Sequence, residues 1–210
     1  MRLFAAIRID DEVREHLVRA LRPIREDRGP MLRWTDPEQW HLTLAFYGEQ
    51  PDGRATELGE LLRTAAVAVP PLGLRLRGAG SFAGRTLWMG VGGEVDRLRA
   101  LMADLADPAD PGGAGDPLAA RRRAHLTVAR LGARAERRAA PARPRRGRRS
   151  TPAVFDDIVA ALAVYRGPDF TVDRIGLYRS ELGRGRSGGP LHELVAEHPL
   201  LGAGEAGGAT

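Results

Sequence analysis

The phrase Trp40-His41-Leu42-Thr43-Leu44-Ala45-Phe46 decides how this chain is read, because it returns as Ala124-His125-Leu126-Thr127-Val128-Ala129-Arg130. Polar and apolar residues alternate in both copies, as in a strand. His and Thr then share one face, while Leu42 and Leu44, or Leu126 and Val128, share the other. A single His-x-Thr on a strand is most simply a structural histidine. Two copies, one in each half of the chain, suggest a duplicated unit with one chemical face per copy.

Composition removes several chemistries. The chain has 210 residues and 43% hydrophobic content, enough for one sizeable core or two small lobes. Cysteine is absent, which excludes disulfides, thiolate nucleophiles and cysteine-ligated metal sites. All 32 basic residues are arginine, so no lysine is available for Schiff-base chemistry, a P-loop or a lysyl-adenylate. No stretch has the length of a membrane span, and the opening Met1 to Ile7 reads as part of the fold, so a cytoplasmic location is expected. Eight arginines and one glutamate lie between Ala133 and Ser150, an excess larger than the +5 of the whole chain. The high basicity therefore belongs to this stretch, which reads as a mobile loop.

Between the motifs, apolar periodicity predicts four helices, one capped by Asp10 or Asp11 and running through Val13, Leu17, Leu21 and Ile24 to the Gly29-Pro30 break, and others at Arg54 to Val69, Glu94 to Leu105 and Pro152 to Ala163. Strands are expected at Leu3 to Ile9, Leu32 to Trp34, the two His-x-Thr runs, Phe170 to Tyr178 and Leu191 to Val195. A hairpin is expected from Leu72 to Val91, around Gly78-Ala79-Gly80 and Gly84. Asp107 to Pro117 reads as a loop, and residues 202–210 as a disordered tail. Short strands with short connections favour an α+β fold with mostly antiparallel sheets in two lobes, a single domain over residues 1–201.

Two imidazoles can divide proton transfer near neutral pH, one as base toward water and one as acid toward a leaving oxygen. Two threonine hydroxyls and an arginine can hold phosphate oxygens between them, which suits phosphodiester chemistry with no metal and no cofactor.

The sequence resembles the two-histidine phosphoesterases, and within them the RNA 2′,3′-cyclic phosphodiesterases long called 2′-5′ RNA ligases. The likeness covers Arg2 to Ile7, His41 to Gly48, Leu87 to Gly90, His125 to Arg130, Leu177 to Ser180 and His198 to Leu200. It implies a bilobed fold with helices outside a central groove, and hydrolysis of a terminal 2′,3′-cyclic phosphate to a 2′-phosphate, with 2′-5′ ligation as a reverse activity. By the family pattern His41 is the general acid and His125 the general base. Thr43, Thr127 and Arg130 bind phosphate, and Phe46 stacks on the terminal base. Phe46 and Arg130 stand on the opposite parity from the histidines, so a bulge or strand end must turn them to the chemical face. The implied partners are RNA ends, tRNA fragments among them, met by a monomer without membrane or metal. The sequence departs from the family in its long basic segment and in His192, where an aromatic is more usual.

His16 reads as a surface residue, Trp40 as core and Asp156-Asp157 as charges at a helix start. Two other functions compete. One is hydrolysis of a small cyclic nucleotide or an ADP-ribose cyclic phosphate; the other is non-catalytic RNA binding through Arg134 to Arg149.

Overall fold

The first strand, β1 (Arg2–Arg8), is apolar on both faces, with Leu3 to Ile7 all buried, which marks it as an interior strand. The computed structural model describes residues 1–106, 124–132 and 155–202. The predicted loop from Asp107, the arginine-rich segment and most of the tail lie outside these residues.

After β1 the order is α1 (Asp11–Arg28), β2 (Leu32–Trp34), β3 (His41–Glu49), α2 (Arg54–Ala68), β4 (Leu72–Phe82), β5 (Thr86–Gly93) and α3 (Val95–Asp104). The remaining described elements are β6 (His125–Leu131), α4 (Asp156–Ala161), β7 (Arg166–Val172), β8 (Arg174–Glu181) and β9 (Leu191–Pro199). The nine strands form one antiparallel sheet in the order β7-β4-β5-β6-β3-β1-β8-β9, with β2 added beside β6. This is the α+β architecture expected. The two sheets of the prediction are continuous, joined where β3 meets β6 through one register pair, Leu42 with Leu126.

Helices cover one face of each half. Val13, Leu17 and Leu21 of α1 are buried at helical spacing, and the helix packs on β7. Its first turn carries Asp11 and Glu12 and its last Arg25 and Arg28, the polarity that the helix dipole favours. Leu58, Leu62 and Ala66 of α2 pack toward β8 and β9, while α4 packs on β4. Among the described residues no helix is long and apolar enough to cross a membrane.

Three sequence expectations need correction. The run Phe170 to Tyr178 is two strands that break at Asp173, β7 beside β4 at one edge of the sheet and β8 beside β1 in the other half. The strands part at the exposed Asp173 and Arg174, which separate β7, buried on one face at Phe170 and Val172, from the run Ile175 to Tyr178, buried at every position as in an interior strand. The hairpin turns at Ala83 and Gly84, both at positive φ, while Gly78 is a bulge inside β4. The last strand runs on to Pro199 because β8 pairs with it over its full length.

Candidate active site

Leu42 and Leu126 are fully buried, and the antiparallel strands that meet at this pair run away from it in opposite directions. His41 therefore sits on the Thr127 side of the seam and His125 on the Thr43 side, an arrangement close to twofold. All four side chains line one groove of about 470 Å³, which Phe46 and Arg130 also line.

Each histidine is backed by two aromatic rings. Phe4 lies 5.0 Å from His41 between ring centroids and stacks on Tyr178 at 5.5 Å. Phe82 lies 4.8 Å from His125 edge-on, with Trp88 at 5.3 Å from Phe82. In both halves the outer ring lies over a glycine. A Cβ at Gly176 would stand 2.7 Å from the Tyr178 ring, and one at Gly80 would stand 2.2 Å from Trp88. Only glycine leaves the space that each ring occupies.

His41 Nδ1 is 2.8 Å from the carbonyl oxygen of Gln39. A carbonyl only accepts, so Nδ1 carries a proton and Nε2 is left for the groove. Burial lowers the pKa of His41 below the ordinary histidine value; the Gln39 carbonyl opposes this, and the charges of Arg8 and His125 add to it.

β-bulges bring the two off-parity residues round. In the pairing of β1 with β3 the register slips between Thr43 and Ala45 and again between Phe46 and Gly48, so Phe46 faces the groove and Tyr47 is buried behind it. Phe46 is 54% exposed, with the Arg2 guanidinium 4.8 Å from its ring centroid. In β6 the register slips at Val128, which turns Arg130 outward beside Arg33 of β2. The carbonyl oxygens at this bulge need donors. Thr35 Oγ1 lies 3.0 Å and 2.9 Å from those of Thr127 and Val128, and itself accepts from Trp40 Nε1 at 2.8 Å. The buried Trp40, expected as core, thus links the strand of His41 to that of His125.

Sequence reading did not single out Gln39 or Arg33, and it marked His192 only as a departure from the family's usual aromatic. Gln39 Oε1 accepts the backbone N–H of His192 at 2.9 Å, so one residue holds both His41 and the start of β9. The His192 ring meets His41 edge-on at 4.9 Å and Phe4 at 4.9 Å. His16, expected at the surface, is half-buried with Nδ1 3.0 Å from the Tyr165 hydroxyl. Asp156 and Asp157 open α4 as expected.

Burial, with the charges of His41 and Arg8, pushes the pKa of His192 down to about 4. An unfolded chain takes up this proton near the ordinary histidine value. Between that value and about pH 4 the unfolded state therefore binds more protons, and stability falls as pH falls. The thermal midpoint of the wild type should drop more between pH 7 and pH 5 than that of His192→Phe. Parallel curves would show that His192 titrates normally.

A family model for LigT-like phosphoesterases matches residues 7–88, which contain the first motif. The RNA 2′,3′-cyclic phosphodiesterase of Geobacillus stearothermophilus is 33% identical over 181 residues, covering 83% of this chain and 49% of that protein. The enzyme of the same name from Thermus thermophilus is 40% identical over 84 residues, 39% of this chain and 40% of that protein. The chain thus spans about half the length of the curated relatives it matches. Among solved structures, TT0787 of Thermus thermophilus superposes with a TM-score of 0.67 at 28% identity, over 97% of this chain and 100% of that one. Escherichia coli LigT in its apo form shares the fold, with a TM-score of 0.64 at 22% identity over 94% of this chain and 96% of that one. Two His-x-Thr strands at the middle of one groove, with these likenesses, make the chain similar to the LigT-like two-histidine phosphoesterases in motif and in fold.

Proposed function

We propose that the chain hydrolyses the terminal 2′,3′-cyclic phosphate of RNA to a 2′-phosphate, without a metal ion. The observation that carries this reading is the near-twofold meeting of His41, Thr43, His125 and Thr127 across the Leu42–Leu126 seam in a single groove. Water attacks phosphorus as His125 removes its proton. The bond from phosphorus to O3′ breaks, and His41 Nε2 delivers a proton to that oxygen, leaving a free 3′-hydroxyl. Thr43 and Thr127 hold the non-bridging oxygens on either side, and the charge of protonated His41 offsets that of the phosphate. Phe46, exposed at the groove with Arg2 against one face, offers the other face to the terminal base.

The names of the curated relatives support the substrate class, and the open groove fits a chain end. The reading includes a cytoplasmic monomer acting on RNA ends such as tRNA fragments. Dialysed protein should turn over an oligonucleotide with a 2′,3′-cyclic phosphate end in excess EDTA. Complete loss under EDTA, restored by Mg²⁺ or Zn²⁺, would overturn the metal-free mechanism.

A further inference from the structure

Phe46 and Arg130 do not flank the same point. Each stands four residues beyond the seam, in opposite directions, so at about 3.3 Å per residue they are on the order of 20 Å apart once bulges are allowed for. A base stacked on Phe46 and a phosphate between the histidines leave Arg130 too far along the groove to belong to the same nucleoside.

Arg33 and Arg130 are direct register partners on neighbouring antiparallel strands. Like charges directly opposite one another repel. Neither has a carboxylate partner among the described residues, whereas the helical arginines at positions 14, 19, 54, 63, 97 and 99 all do. The acid at this end of the groove, Asp36, lies toward Arg186, with Nε at 3.8 Å. Both Arg33 and Arg130 line the groove that holds the histidines. Two arginines at one register position, without a carboxylate partner among the described residues and lining a channel, present the donors that a phosphate oxygen pair accepts.

We infer that Arg33 and Arg130 form a second phosphate subsite, which binds a backbone phosphodiester upstream of the reacting end and makes the site select an RNA chain over a mononucleotide. The inference rests on the reading of the groove as an RNA-end site. It also sets polarity: the terminal base lies at the β1–β3 end and the chain leaves past β2.

The test uses full-length wild type, Arg33→Gln and Arg33→Lys, with Arg166→Gln as control. Arg166 faces Arg77 as another like-charged pair, but neither lines the groove. Binding of a labelled tetranucleotide ending in a 2′-phosphate is measured by fluorescence anisotropy over a salt series. Binding of a 2′-mononucleotide is measured beside it.

Arg33→Gln should bind the tetranucleotide about 5- to 10-fold more weakly and lower its log–log salt slope by about 1, with the mononucleotide within about twofold of wild type. Arg33→Lys should keep the slope. Equal loss on both ligands, no change on the tetranucleotide, or the same loss in Arg166→Gln would overturn the subsite. A chain that hydrolyses no cyclic phosphate would refute the proposed reaction, while these binding comparisons would still decide the role of Arg33.

Discussion

His41→Ala and His125→Ala should each slow hydrolysis of a cyclic-phosphate end by about 10²–10⁴-fold, the usual contribution of a placed acid or base. They should differ on a substrate whose leaving group needs no proton. A nitrophenyl phosphodiester should partly rescue His41→Ala, because the missing acid no longer matters. It should not rescue His125→Ala, which still lacks a base for water. The wild-type rate should be bell-shaped in pH, with limbs that belong to the pair, because each histidine must hold the opposite protonation state. Rates of both mutants on both substrates decide the assignment: equal rescue breaks it, and rescue of His125→Ala alone reverses it. Since Gln39 fixes His41 from behind through a backbone carbonyl, no side-chain substitution there can substitute for this test.

Leu42→Ala should cost about 2–5 kcal/mol of stability, a large share of what a domain of this kind has. Leu42 is fully buried and supplies one half of the only register pair between β3 and β6 in the described structure. Truncation removes packing where the two halves have no neighbouring ladder pair to compensate. Leu194→Ala on β9, where the side chain is 53% exposed, should stay within about 0.5 kcal/mol. Urea midpoints of the two variants against wild type measure the contrast; a small shift for Leu42→Ala would mean that the seam carries little of the fold.

Much of this site was legible because its chemistry repeats within one chain. Alternation around His41 and His125 was enough to place both histidines and both threonines on one face. Phe46 and Arg130 broke that alternation, and the bulges that turn them depend on which strand lies opposite, which no local pattern records. Arg33 looked like one arginine among 32, and only its register against Arg130 sets it apart. Gln39 acts through a carbonyl and an amide placed by a short turn, and neither has a sequence signal. The break at Asp173 did have one, the adjacent charges of Asp173 and Arg174, but the apolar residues on either side hid it.

That break also orders events during synthesis. β1 and β3 are made first, yet the far edge of β1 is covered only by β8, which the chain completes at Glu181. At about 5–20 residues per second, the apolar strand from Leu3 to Ile7 waits roughly 10–35 seconds with one edge open. A ribosome-bound fragment ending before residue 174 should therefore hold its first histidine strand in an unfinished sheet, and the groove can close only as the last strands emerge.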